Sequence, residues 1–139
     1  MIVYLDTSSL VKLYVEEDES SKVDALVRSS EFTATSLVAY AEARAAFARR
    51  FREKAFTPDE HDRIKEFFDK DWSNYLILSV TLNMIRLAGD LAEKHVLRGF
   101  DSIHLASALT LRQELSLPIA FSCFDDKLQK ASKRENLQG

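Results

Sequence analysis

Ile2-Val3-Tyr4-Leu5-Asp6-Thr7-Ser8-Ser9 is the stretch that decides the fold. Four apolar residues with no polar alternation read as a short strand buried on both faces, as in the centre of a parallel sheet. The run breaks at an acid. Thr7-Ser8-Ser9 then offer hydroxyls suited to capping a helix that carries Leu10, Val11, Leu13 and Tyr14. A buried strand feeding directly into a helix is the opening of a crossover connection between parallel strands.

The rest of the chain repeats that alternation. After the acidic break Glu16-Glu17-Asp18-Glu19, a short helix is expected through Val23, Leu26 and Val27, then a strand over residues 31–35. Thr35-Ser36 supply caps for a helix reaching about Lys54. Thr57-Pro58-Asp59-Glu60 form a capping box with proline at the first helical position. Leu76-Ile77-Leu78-Ser79-Val80 predict a third strand, residues 82–97 an amphipathic helix ended by Gly99, and Asp101 opens a helix to about Leu115. Ile119 to Ser122 predict a fourth strand, and a short helix with Leu128 and Ala131 follows. The expected fold is α/β: a mainly parallel central sheet of four or five strands flanked by helices in three layers.

Composition agrees. The 139 residues are one domain's worth, so residues 1–139 are expected to form a single domain. Three Gly and two Pro are too few for the many turns of an all-β sandwich. The net charge of −3 excludes a globally basic protein that coats nucleic acid. One cysteine, Cys123, allows no intrachain disulfide and points to a reducing, cytoplasmic setting. No apolar run approaches the roughly 20 residues of a membrane span, and the acid at position 6 does not fit a secretory leader.

In open parallel sheets ligands sit beyond the carboxyl ends of the strands. Asp6 and Asp125 follow the first and fourth strands, Glu42 is expected in the second turn of the helix after the second strand, and Asp101 starts the helix leading to the fourth. All four can face one sheet edge. Two such charges about 4 Å apart repel by roughly 4 kcal/mol at an effective dielectric near 20. A hard divalent cation with oxygen ligands, Mg²⁺ or Mn²⁺, reverses that sign. His61, His95, His104 and Cys123 show no zinc spacing. Taken singly, each acid also reads as a cap or a solvated helix acid. His104, on the helix face of Asp101, reads either as a ligand or acid–base group or as a packed core histidine.

Four segments carry a resemblance: Asp6-Thr7-Ser8-Ser9-Leu10-Val11-Lys12-Leu13-Tyr14, Thr35-Ser36-Leu37-Val38-Ala39-Tyr40-Ala41-Glu42, Asp101-Ser102-Ile103-His104-Leu105-Ala106-Ser107-Ala108-Leu109 and Phe124-Asp125-Asp126-Lys127-Leu128. In order and spacing they resemble the successive motifs of PIN domains, and within these the VapC-type toxin nucleases of toxin–antitoxin pairs. The resemblance covers the whole chain. It implies a PIN-like nuclease domain, an Mg²⁺- or Mn²⁺-dependent endoribonuclease, usually a homodimer, held in check by a small antitoxin protein.

The family's acids fall on Asp6, Glu42, Asp101 and Asp125, with Asp126 as the second choice for the last. Asp6 and Asp101 are the principal expected metal ligands, with Glu42 and Asp125 secondary or acting through water. Thr7 and Ser8 either position a metal-bound water or cap the helix. Cys123 stands where the family has Thr or Ser, so Ser122 becomes the candidate to orient Asp125. A final edge strand is expected to be short or missing.

RNA needs positive charge, and residues 43–54 supply Arg44, Arg49, Arg50, Arg52 and Lys54 against Glu53, a local +4. Residues 127–139 add a local +3. Arg49 lies two turns from Glu42, about 10 Å along nearly the same helix face. Arg49, Arg50 and Arg52 are therefore the candidate RNA contacts, with a solvated basic helix end as the plain alternative. Tyr40, Ala43, Phe47 and Phe51 read as core or dimer interface. The alternative functions are a housekeeping PIN-type nuclease of RNA processing and an inert PIN module that binds RNA or protein. The presence of all four acids counts against the inert module. A receiver-type phosphoacceptor would need paired acids after the first strand and a late strand-end lysine, which the chain lacks.

Overall fold

The computed structural model describes residues 1–139. Its four strands are β1 (Ile2–Leu5), β2 (Phe32–Ser36), β3 (Leu76–Leu78) and β4 (Ile119–Ser122). They pair in parallel in the order β3-β2-β1-β4, which makes β1 central. Seven helices complete the chain: α1 (Thr7–Val11), α2 (Ser20–Arg28), α3 (Ala39–Arg52), α4 (Pro58–Trp72), α5 (Leu82–His95), α6 (Gly99–Leu115) and α7 (Asp126–Arg134).

Alternation along the strands divides the interior into two cores. Ile2 and Tyr4 of β1 join Ile119 and Phe121 of β4 in packing against Met84, Leu91, Leu105 and Leu128 from α5, α6 and α7. Val3, Leu5 and Ala120 face the other way, against Leu10, Val23, Phe47 and Phe68 from α1 to α4. The result is the expected three-layer α/β arrangement with four strands. Phe68 is fully buried and meets the rings of Tyr14, Tyr40, Phe47 and Trp72 at 5.3 to 5.5 Å. Ala43 and Phe47 belong to this core, while Phe51 stacks on His61 at 4.6 Å. The final strand is reduced to one bridge: Gln138 pairs with β4 through Phe121 N–H and Ile119 C=O, at 2.7 and 3.2 Å.

The capping box forms as read, with Thr57 accepting from Glu60 N–H and Glu60 accepting from Thr57 N–H. Other boundaries differ. Thr35 does not cap α3, because its hydroxyl donates to Leu5 C=O across the sheet at 2.8 Å; Ser36 accepts from Val38 N–H, and the cap position itself is Val38. The later start of α3 places Glu42 in its first turn, not its second. Helix α1 is capped by Asp6 and not by the hydroxyls after it. β3 ends at Leu78, two residues earlier than its apolar run.

Gly99 does not end α5. The chain turns three residues earlier, at Val96, whose φ of 56° is left-handed, and Gly99 becomes the first residue of α6. A β-branched residue in that region costs about 1–2 kcal/mol, and Val96 is 71% exposed, so little packing offsets it. Val96→Gly is expected to stabilise the protein by about 1 kcal/mol. A urea titration should show a higher midpoint at unchanged slope; an unchanged midpoint would mean that the turn stores no strain.

Candidate active site

The parallel register of β1 and β4 sets Leu5 beside Ser122, so both strands deliver their next residues to the same edge. Asp6 N–H donates to Ser122 C=O at 3.1 Å, extending the ladder by one rung. The Asp6 side chain then caps α1: Oδ1 accepts Ser9 N–H at 2.9 Å and the Ser8 hydroxyl at 2.8 Å. Both bonds fall on one oxygen. Asp6 is 5% exposed, and burial raises its pKa; the His104 field and the Ser8 and Ser9 bonds oppose that without cancelling it.

Glu42 reaches the same edge from α3. Its Oε1 accepts the Thr7 hydroxyl at 2.5 Å and faces His104 Nε2 at 3.1 Å. Burial works to raise the Glu42 pKa, but the hydrogen bonds of His104 and Thr7 outweigh it and hold the carboxyl below its ordinary value. His104 descends from α6 with only 2% of its side chain exposed, and the Tyr4 hydroxyl meets its Nδ1 at 2.7 Å.

Asp101 is the third residue of α6, which starts at Gly99, two residues before the Asp101 start that the sequence predicts. Its Oδ2 accepts from Arg98 Nε at 3.1 Å. The Arg98 pKa is raised first by that bond and the Asp101 charge, then by the charge of Asp125. Asp125 caps α7, with Oδ2 accepting Leu128 N–H at 3.0 Å. This cap orients Asp125. Ser122 does not: its hydroxyl pairs with Ser9 at 2.9 Å. The buried Cys123 thiol is pushed up by desolvation and then by the charges of Asp6, Asp125 and Asp101, which surround it.

Asp6, Thr7, Ser8, Glu42, Asp101, His104 and Asp125 thus line one cleft of about 390 Å³, together with Arg98 and Phe124. Asp126 does not line it. No three of the acid, imidazole and thiol groups stand close enough to chelate a common ion. A second groove of about 390 Å³ adjoins at Glu42 and continues along α3 over Ala45 and Ala46 to Arg49 and Arg52. Arg50 is not part of it. Its guanidinium is ion-paired with Glu17 and lies 3.9 Å from Glu53, away from the groove that Arg49 and Arg52 line. Arg44 is likewise engaged, donating to the Tyr40 hydroxyl at 2.8 Å.

The PIN domain family model matches residues 3–133. This chain belongs to the PIN-domain family. Among curated relatives, Ribonuclease VapC45 of Mycobacterium tuberculosis (strain CDC 1551 / Oshkosh) is 36% identical over 110 residues, 79% of this chain and 76% of the relative. Ribonuclease VapC49 of strain ATCC 25618 / H37Rv matches to the same extent. Ribonuclease VapC46 of that strain is 30% identical over 132 residues, 94% of this chain and 90% of the relative. The crystal structure of VapBC2 from Rickettsia felis, bound to a DNA fragment from their promoter, contains a chain that superposes with a TM-score of 0.65. It covers 99% of this chain and 96% of that one at 16% identity, a likeness of fold.

Two cleft residues of this PIN domain, Arg98 and Phe124, are absent from the candidate site residues of the sequence reading. Arg98 stands one turn before Asp101, a spacing that could have suggested an ion pair. Phe124, between Cys123 and Asp125, offered no such signal; Lys12 sits over its ring at 4.9 Å. The donors facing the cleft are carboxylate and hydroxyl oxygens, with one buried imidazole, which suits a hard ion that keeps much of its water. Asp6 adds a second indication, since its burial outweighs the His104 field and the Ser8 and Ser9 bonds, a deficit that a divalent ion would offset.

That imbalance is measurable. A raised pKa means that the folded state holds the Asp6 proton more tightly than the unfolded chain does. Stability therefore falls as pH climbs from the ordinary value of 3.8 through the shifted one. Asn keeps the cap of α1 without the charge. Asp6→Asn is expected to raise Tm by several degrees at pH 7 in EDTA, with the gain shrinking as pH falls toward 4. A variant that melts lower at pH 7 would show that the carboxylate stabilises the fold.

Proposed function

We propose that this PIN domain is a divalent-metal-dependent endoribonuclease, the toxin of a toxin–antitoxin pair. The observation that carries the reading is the convergence of Asp6, Glu42, Asp101 and Asp125 from four separate chain segments on one cleft. The curated relatives named as ribonucleases supply the reaction class.

Four carboxylates face a single guanidinium in that cleft. Such a surface repels RNA phosphates unless a cation intervenes. Asp6 and Asp101 are the residues assigned to hold Mg²⁺ or Mn²⁺, with Glu42 and Asp125 contributing through the ion's water. When bound, the metal supplies Lewis acidity toward the phosphodiester and lowers the pKa of an attacking water. Asp6 enters this role with its backbone and Oδ1 already fixed, so little ordering remains. Thr7 holds Glu42 in its ionised form. Arg98, exposed beside Asp101, is the cleft's own cation for a phosphate oxygen. Arg49 and Arg52 line the adjoining groove and carry the next phosphates of an extended strand along α3.

By analogy with the VapBC2 assembly, the partner is a small antitoxin. A homodimer and a cytoplasmic location complete the proposal. No helix is long and apolar enough to cross a membrane.

Cleavage of RNA should require Mg²⁺ or Mn²⁺ and stop in EDTA. Asp101→Asn should lower its rate by about 100-fold or more, the scale for loss of a main electrostatic element. Full activity of that variant, or activity in EDTA, would overturn the assignment. Arg49→Ala should weaken RNA binding about equally across sequences and reduce the salt slope of log K by about one. Filter binding from 50 to 200 mM salt reads this directly, and an unchanged slope would remove Arg49 from the RNA path.

A further inference from the structure

The hydrogen bonds around His104 form a chain with a direction. Tyr4 is fully buried in the central strand, and burial pushes its pKa well above the ordinary value, so the hydroxyl keeps its proton. That hydroxyl meets His104 Nδ1 at 2.7 Å. A carboxylate can only accept, so Nε2, which faces Glu42, carries a ring proton, and Nδ1 is left to the Tyr4 hydroxyl. Nε2 is 3.1 Å from both Glu42 Oε1 and the Thr7 hydroxyl. The Thr7 hydroxyl itself donates to Glu42 Oε1. Every link joins a different element: β1, α6, α1 and α3.

We infer that His104 is a positioning residue: locked by Tyr4 as an Nε2–H donor, it holds the Glu42 carboxylate in the cleft for the divalent ion. The inference rests on the metal-dependent reading above and extends it to a buried histidine hydrogen-bonded to the candidate ligand Glu42. A packed core histidine would account for the burial of His104 but not for hydrogen bonds at both ring nitrogens, one to a tyrosine and one to a candidate ligand. Partners of metal ligands fix the ligand's orientation, and their loss costs about 10- to 100-fold in metal affinity or activity.

Two amides separate the roles of the ring nitrogens. Gln can place an amide N–H near the position of Nε2 and restore the donor to Glu42; Asn reaches only as far as Nδ1 and leaves Glu42 without it. Mn²⁺ titrations of the full chain by calorimetry should show His104→Asn weakened about tenfold or more, approaching Glu42→Gln, and His104→Gln within about threefold of wild type. Tyr4→Phe, which unlocks the tautomer and leaves the ring in place, should weaken Mn²⁺ binding by a smaller factor in the same direction. In RNA cleavage, His104→Asn should lower kcat at nearly constant KM, because Arg49 and Arg52 are untouched.

Wild-type Mn²⁺ affinity in a folded His104→Asn protein would overturn the inference, and so would equal losses in Asn and Gln. Should His104→Asn not fold, a Tyr4→Phe protein that melts cooperatively and binds Mn²⁺ as wild type does would overturn it equally. Failure of the underlying reading looks different: the wild type would bind no Mn²⁺, and Glu42→Gln would cleave RNA as well as wild type.

Discussion

The cleft depends on the pairing of β1 with neighbours on both sides. A parallel strand hydrogen-bonded at both edges and buried on both faces has no freedom of register, since a one-residue slip would exchange its two cores. Tyr4 would leave Phe121, on which its ring stacks at 5.5 Å, and Val3 and Leu5 would leave the side packed by Phe47 and Phe68. The rung from Asp6 N–H to Ser122 C=O and the Thr35 bond to Leu5 C=O carry that certainty to the strand's end. Asp6 is therefore placed by sheet energetics, and its carboxylate inherits the position.

From there, most of the acids serve two purposes. Asp6 caps α1 through Oδ1, and Asp125 caps α7 through Oδ2. Asp101 is paired with Arg98, and Glu42 is bonded by Thr7 and His104. Each structural role that could have explained an acid away is present, and the acids line a common cleft nonetheless. A cap uses one carboxylate oxygen and fixes the torsions of the other, so the fold pre-orients groups whose mutual repulsion would otherwise spread them apart. The opposite pKa directions of Asp6 and Glu42 follow from the same contrast: Asp6 is buried faster than its hydrogen bonds compensate, while Glu42 is half-buried and doubly bonded.

The sequence by itself determined the layers, the helix count and which four acids share a cleft. Ile2 to Leu5, Ile119 to Ser122 and the capping box at Thr57 carry local signals, a period or a cap, that need no distant partner. Local signals were weaker at boundaries. Gly99 reads as a stop, yet α5 already closes at Val96, where Leu97 N–H bonds back to Ala92 C=O, and Gly99 is left to begin α6. Thr35 reads as a cap, yet its hydroxyl finds a strand carbonyl that lies next to it only once β1 and β2 pair.

Only the tertiary structure decided between neighbouring charges. Arg49, Arg50 and Arg52 are alike in sequence, but helical rotation turns Arg50 to Glu17 and leaves the other two beside Glu42. Asp125 and Asp126 are neighbours, but the first is the cap of α7 and lines the cleft, while the second opens the helix outside it. The Tyr4–His104–Glu42 chain spans 100 residues between its first two members and 62 between the last two. Hydrogen bonds act over about 3 Å of space and not along the chain, so such a chain has no signature in sequence until the sheet and α6 have brought its ends together.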